Sequence, residues 1–165
     1  MLKRALPLAL LFIALDQATK LIVQRTLALD DPRDIIELVP GFLDFCHVVN
    51  YGASWGLFSG WRWSLTVFAL LALVLLVVFR KHIFPPCQPL PATTLALLLG
   101  GIVGNLIDRV RIGGVIDFIH VHWRHTYNFP VFNVADTCIT FGLALYIIGQ
   151  FIAERNAKKN MNDEG

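Results

Sequence analysis

Charge is what this chain has least of. Only 16% of its 165 residues are Asp, Glu, Lys or Arg, while 56% are apolar, too few charges to clothe a soluble domain. A formal net charge of +2 is too small to suggest nucleic acid as a partner. Cysteine is scarce and scattered: Cys46, Cys87 and Cys138 form no CxxC pair, which argues against a disulfide framework or a thiolate zinc site. No HExxH is present, and no internal repeat stands out.

What the chain has instead is long apolar runs. Four of them, roughly Ala5–Val23, Trp63–Phe79, Leu90–Ile107 and Ala135–Ile152, approach the ~20 residues needed to cross a bilayer. The fold class is therefore a polytopic α-helical membrane protein, a bundle of four transmembrane helices. The length predicts one membrane-embedded domain over 1–154, followed by a polar, disordered tail over 155–165. Lys3-Arg4 before an apolar run imitates a secretory signal. Asp16-Gln17-Ala18-Thr19-Lys20 interrupts that run, however, and no small-x-small cleavage site follows, so the segment reads as a retained first span.

Four spans put both termini and the 80–90 loop on one side. That side carries Lys3, Arg4, Arg80, Lys81, Arg155, Lys158 and Lys159, against Arg25, Arg33, Arg62, Arg109, Arg111 and Arg124 on the other, seven to six. The first set lies close to span ends, where such charges orient a membrane protein, and this favours cytoplasmic termini. Two outer segments, about 24–62 and 108–134, are too long for simple loops. Ile35 to Tyr51 is rich in Val, Ile, Phe and Tyr, with Pro40-Gly41 as a turn, and Val115 to Trp123 has strand character. The two segments predict a small extracytoplasmic sheet. Trp55, Trp61, Trp63 and Trp123 gather at the same boundary, where indole rings favour the interface. Pro85-Pro86-Cys87-Gln88-Pro89 is a stiff inner connector.

The polar residues are few but placed together. Asp16 and Lys20 lie late in the first span, Asn105, Asp108 and Arg109 end the third, and Asn133 and Asp136 begin the fourth. In an antiparallel bundle these ends form one outer layer. Asp117, in Val115-Ile116-Asp117-Phe118, belongs to the segment leading into that layer. An ionisable residue at a membrane boundary is a functional hypothesis by default, and two carboxylates that can meet suffice for acid–base hydrolysis of an amide.

Each feature also has a bland reading. Gly101, Gly104, Asn105 and Asp108 share a helical face, bordered by Arg109, as small residues at a helix contact would. Asp16 and Lys20, spaced i, i+4, would form an internal ion pair. Asn133 would cap the fourth span, with Asp136 at its third helical position. Capping does not account for Asp117. Two further patterns are decoys. Gly52-Ala53-Ser54-Trp55-Gly56 fits the G-x-S-x-G elbow but lacks the large α/β fold that elbow needs. His120, His122 and His125 could be imagined as metal ligands, but His125 is offset on a strand, so polar interface histidines are the preferred reading and no metal is expected.

On these motifs the chain resembles the lipoprotein signal peptidases, the type II signal peptidases of bacteria. The matching elements are Asp16-Gln17-x-x-Lys20, Asn50-x-Gly52-Ala53, Gly101-x-x-Gly104-Asn105-x-x-Asp108-Arg109, Val115-x-Asp117-Phe118 and Phe132-Asn133-x-Ala135-Asp136. They run in the family's order over nearly the whole chain outside the tail. The resemblance implies an intramembrane aspartyl endopeptidase of the bacterial inner membrane, acting near the outer leaflet without a cofactor. It would cut prolipoproteins immediately before a diacylglyceryl-modified cysteine and be sensitive to globomycin. It implies Asp117 and Asp136 as the catalytic pair, with Asp16, Lys20, Asn50, Gly52, Asn105, Asp108, Arg109 and Asn133 shaping the site or binding substrate. It further implies a four-helix bundle with an outer β-cradle and a short interfacial helix. Membrane lipids are the surroundings and a monomer is expected, because the spans show no additional packing face.

Two rivals remain at this point. A small proton-coupled transporter would use the same acids as a relay, but it needs polar residues through the membrane, and the second and fourth spans offer few. A non-catalytic scaffold would use the aspartates only as caps.

Overall fold

The computed structural model describes residues 1–52, 62–84, 90–123 and 126–163. The elements run α1 (Leu2–Thr26), β1 (Ile36–Val39), β2 (Leu43–Asn50), α2 (Arg62–Ile83), α3 (Pro91–Ile112), β3 (Val115–Trp123), β4 (Tyr127–Asn128) and α4 (Val134–Asp163). Ala53 to Trp61, the connector over 85–89, Arg124 and His125 lie outside the described residues, and with them the serine elbow beyond Gly52 and two of the four tryptophans. The interfacial helix implied by the resemblance has no counterpart among the described residues.

Three helices, Leu2–Thr26, Trp63–Ile83 and Val134–Asn156, are long and apolar enough to cross a membrane. Their outward side chains are large and greasy, among them Trp63, Phe68, Phe141 and Phe151, all exposed. Such a surface is stable against lipid rather than water. The chain is a multi-pass membrane protein. α3 is the central helix: it packs against α1, α4 and α2, and its buried face includes Leu95, Ala96, Leu99, Gly101 and Asn105.

Each end of the bundle has its own character. At one end Ala5, Ala9, Leu76, Phe84, Leu95, Ala96 and Leu99 form an apolar core. There α2 and α4 meet, with Phe84 edge-on to Tyr146 at 5.6 Å and Gln150 Nε2 donating to the Ile83 carbonyl at 3.2 Å. Toward the other end a cavity is lined by both helices.

Close approach of α4 to α3 depends on glycine. A Cβ on Gly101 would collide with the Ala135 carbonyl oxygen and lie 2.6 Å from Ile139 Cγ1, and one on Gly104 would lie 2.6 Å from Asp16 Oδ2. The Ala135 oxygen is backbone and cannot swing aside. Gly101→Val is therefore expected to destabilise the bundle by about 1–3 kcal/mol, read as a lower thermal midpoint in detergent. An unchanged midpoint would contradict the close packing of α3 on α4.

The sheet is antiparallel in the order β1-β2-β3-β4. Pro40-Gly41 makes the β1–β2 turn as expected: the Phe42 amide donates to the Val39 carbonyl at 2.9 Å, and Gly41 sits at φ 73°, the left-handed value that the third position of a type II turn requires. A bulge between Phe45 and Val48 shifts the register by one, so that Asp44 opposes His120 while Val48 opposes Asp117. Phe45, Phe118, Val23 and Leu27 join the sheet to the end of α1.

One expectation is corrected. The polar tail is not disordered: α4 continues through it to Asp163. Glu154, Arg155, Lys158 and Lys159 favour helix, and no Pro or Gly interrupts the segment before its end. Extending an existing helix also avoids the cost of a new nucleus.

Candidate active site

The polar end is built around α3. Lys20, fully buried, lies 3.0 Å from Asp16 Oδ2 and 2.8 Å from Asp108 Oδ2, and also donates to Asn105 Oδ1 at 3.0 Å. The i, i+4 ion pair expected within α1 is thus one half of a triad joining α1 to α3. Both carboxylates also accept from backbone. Asp16 Oδ1 accepts the Ala135 amide at the start of α4 at 2.9 Å, and Asp108 Oδ2 accepts the Ile116 amide of β3 at 3.2 Å. Asp16 and Asp108 therefore fix the two elements that carry Asp136 and Asp117.

Gln17 belongs to the same cluster, although its place in a motif was its only sequence signal. Its Nε2 lies 3.1 Å from Asp16 Oδ2, 3.2 Å from the Gly104 carbonyl and 3.2 Å from Asp108 Oδ1.

Asn133 is the joint of the site. Its Oδ1 accepts the Asp136 amide at 2.9 Å, while its own amide donates to Asp136 Oδ2 at 3.3 Å. This is a reciprocal capping box at the start of α4, so the capping role read from sequence is real. The same side chain points its Nδ2 at Asp117 Oδ1, 2.6 Å away, and at Ile116 O and Asn105 Oδ1, both 3.2 Å. One buried asparagine thus contacts both aspartates.

A backbone link explains the encounter. Phe132 bridges to Ile119, its amide donating to the Ile119 carbonyl at 3.0 Å and its carbonyl accepting the Ile119 amide at 2.8 Å. That bridge folds the segment before α4 back onto β3 and sets Asn133 beside Asp117.

Each aspartate has a further amide donor. Asn50 Nδ2 donates to Asp117 Oδ2 at 3.1 Å, and Asn105 Nδ2 donates to Asp136 Oδ1 at 2.7 Å. Asn50 Oδ1 in turn accepts the Gly52 amide at 2.9 Å. Burial, and then the negative charge of Asp136, raise the Asp117 carboxyl from 3.8 to about 7, against the opposing pull of Asn50, Asn133 and Lys20. A carboxyl that can carry a proton near neutral pH can act as an acid there.

Both aspartates line a cavity of about 730 Å³, together with Asn50, Gly52, Asn105 and Arg109. The rest of the wall is mostly apolar. Phe68, Ala69 and Ala72 come from α2, and Ile139, Thr140 and Phe141 from α4. The cavity thus lies between these two helices and α3, which contributes Ile102, Asn105 and Arg109. Ile139 and Thr140 follow Asp136 at the three-and-four spacing that marks one helix face, the only sequence signal for these lining residues.

The other sequence candidates separate clearly. Asp16, Lys20 and Asp108 do not line the cavity; they form the buried support behind it. Burial raises the Cys46 thiol to about 11, which keeps it protonated near neutral pH. His120 and His122 lie on β3 away from the cavity lining.

A family model described as signal peptidase (SPase) II matches residues 8–152. The chain belongs to the signal peptidase II family. Lipoprotein signal peptidases similar to it include one from Ectopseudomonas mendocina, 39% identical over 156 residues that cover 92% of this chain and 90% of the relative. Another, from Geobacter sulfurreducens, is 40% identical over 147 residues covering 87% and 88%. A bacterial membrane enzyme solved by the in meso method at 2.3 Å resolution superposes with a TM-score of 0.80 at 33% identity, covering 94% of this chain and 92% of that one. This signal peptidase II family member is thus a peptidase in a multi-pass membrane fold. The transporter alternative finds no support, and the apolar core at the far end of the helices argues against a proton path through the bundle.

Proposed function

We propose that this protein is an intramembrane aspartyl endopeptidase. It removes signal peptides from diacylglyceryl-modified prolipoproteins, cutting immediately before the lipidated cysteine. The observation that carries this reading is the bridging of Asp117 and Asp136 by Asn133 at the wall of a largely apolar cavity.

The two carboxyls share a proton. The ionised partner takes a proton from a bound water, and the protonated partner donates a hydrogen bond to the scissile carbonyl. The water oxygen attacks, and a tetrahedral gem-diol forms. A proton passed from the dyad to the amide nitrogen lets the amine leave as the C–N bond breaks. Asn50, Asn105 and Asn133 each donate to a dyad oxygen, which orients the pair and leaves its other lone pairs to water. Arg109 lines the same cavity and holds polar backbone of the substrate.

Four membrane spans, with α3 as the central one, would set this site near the outer leaflet of the bacterial inner membrane, with both termini cytoplasmic. The gap between α2 and α4 gives a lipid-anchored substrate a lateral entrance, and its apolar wall suits acyl chains, each buried CH₂ contributing about 0.8 kcal/mol. The enzyme works as a monomer in lipid and is blocked by globomycin. The test is incubation of the purified protein with a diacylglyceryl prolipoprotein, with and without globomycin. Cleavage before the modified cysteine, suppressed by the antibiotic, is the expected result; an untouched substrate would refute the assignment.

The shared proton also sets a pH dependence. Because the Asp117 carboxyl is raised to about 7, the singly protonated pair loses its proton on the alkaline side. kcat/KM is expected to fall there roughly tenfold per pH unit, with an apparent pKa that belongs to the pair. A profile flat between about pH 6 and about pH 9 would contradict a shared proton.

A further inference from the structure

The face of the sheet opposite Asp117 carries a second cluster of polar side chains. Strand alternation puts His120 and His122 on that face, and the bulge between Phe45 and Val48 brings Asp44 opposite His120. Without the bulge, the pairing of Val48 with Asp117 would set Asp44 opposite Val121 and turn it to the other face. We propose that Asp44, His120 and His122 form a binding site for a divalent transition-metal cation of the zinc type.

Three observations converge on this site. One ligand atom from each residue lies within 4.8 Å of the other two, a spacing that a small inward movement would close around one ion. Asp44 and His122 are each only 2% exposed, so their contact is screened little by water. Most telling is an incomplete carboxylate. Asp44 Oδ2 lies 2.7 Å from His122 Nε2 and 3.8 Å from His120 Nδ1, yet Asp44 Oδ1 is buried with no hydrogen-bond partner among the described residues. A buried acceptor left unmatched is costly, and a cation gripped by both carboxylate oxygens would engage it.

The donor set selects the class of ion. Two imidazoles and one carboxylate suit zinc, iron(II) or cobalt(II), whereas calcium and magnesium favour all-oxygen sites. The His120 and His122 rings stack at 4.9 Å and 26°, and the His120 side chain is 24% exposed, which leaves a way in from solvent. On binding, the ion takes the place of the proton between His122 and Asp44, and that proton leaves to solvent. The ion would tie β2 to β3 three residues beyond Asp117. It stabilises the strand and takes no part in hydrolysis.

The test uses the full chain without a histidine tag, purified in detergent, stripped with chelator and titrated with Co²⁺ and then Zn²⁺. The expected result is one Co²⁺ per chain with a d–d spectrum of low coordination number, displaced by Zn²⁺, which raises the thermal midpoint. His120→Gln should weaken binding by about 100-fold or more, since losing even a supporting partner of a ligand costs about 10- to 100-fold. His82→Gln, in α2, should leave it unchanged. X-ray absorption of the zinc-loaded wild type needs no variant and should show two imidazoles and oxygen ligands. Absence of saturable one-to-one binding, or a zinc shell without imidazole, would overturn the proposal.

Discussion

Asp117→Asn and Asp136→Asn are each expected to reduce prolipoprotein cleavage by at least about 10³-fold, the upper range for loss of a positioned acid or base. The double variant should be scarcely worse than either single one, because groups that act as a unit do not contribute additively. Both proteins should stay folded. An asparagine in place of Asp136 keeps an oxygen to accept Asn105 or the Asn133 amide, and the lost half of the capping box costs about 1 kcal/mol.

Asp117→Asn should even stabilise the protein at alkaline pH. The folded state holds the Asp117 proton up to about 7, against an ordinary value of 3.8. Between those values the fold binds more protons than the unfolded chain, so stability falls as pH rises through the window, and the proton's contribution is fully lost above it. The neutral amide of the variant carries no such penalty. The variant should be more stable than wild type above about pH 7, by up to a few kcal/mol at about 1.4 kcal/mol per pH unit, and the two thermal midpoints should converge at about pH 4. Activity within about tenfold of wild type in either single variant would remove the dyad from the mechanism.

Lys20→Met should have the largest effect on folding. Lys20 is 1% exposed and pairs with Asp16 and Asp108, both at 0%. Removing the ammonium leaves two buried carboxylates without a counter-ion, and breaking a buried pair costs about 3–5 kcal/mol. Against a total stability of about 5–15 kcal/mol, that threatens the fold. The damage should spread, because Asp16 holds the start of α4 and Asp108 holds β3.

The rescue separates charge from shape. Adding Asp16→Asn and Asp108→Asn to Lys20→Met removes the unpaired charges and keeps an oxygen for the Ala135 and Ile116 amides. This neutral triple variant should recover most of the lost thermal midpoint, measured by size-exclusion-monitored melting in detergent. A Lys20→Met protein that melts with wild type would show that the triad contributes no stability.

The contrast between the two predictions follows from position. Asp117 and Asp136 line the cavity, whereas Lys20, Asp16 and Asp108 sit behind it and hold the strand and helix that present them. All five looked alike in the sequence, as rare charges in apolar surroundings. Rarity marked them as important; only burial and partners divided them into residues at the cavity wall and residues buried behind it.

Much of the architecture was legible because each local signal had one physical outcome. Apolar runs of span length became helices, Pro40-Gly41 became a turn, and Val115 to Trp123 became a strand. The i, i+4 spacing of Asp16 and Lys20 and the cap at Asn133 were equally local. The second carboxylate partner of Lys20 was not, because Asp108 lies on another helix, far along the chain. The helical course of the tail was not legible locally, because its polarity is shared with disordered segments and its nucleus is the helix before it.

By itself the sequence determined the membrane class, the helices and strands, the gathering of polar groups at one end, and the motifs that carry the family resemblance. Those properties depend on hydropathy and spacing within short segments. Tertiary structure decided that Asn133 joins both aspartates through the Phe132–Ile119 bridge, that α2 and α4 line one largely apolar cavity, and that a one-residue bulge turns Asp44 toward two histidines. Each of these depends on register and on contacts between distant segments, where a shift of one residue sends a side chain to the opposite face.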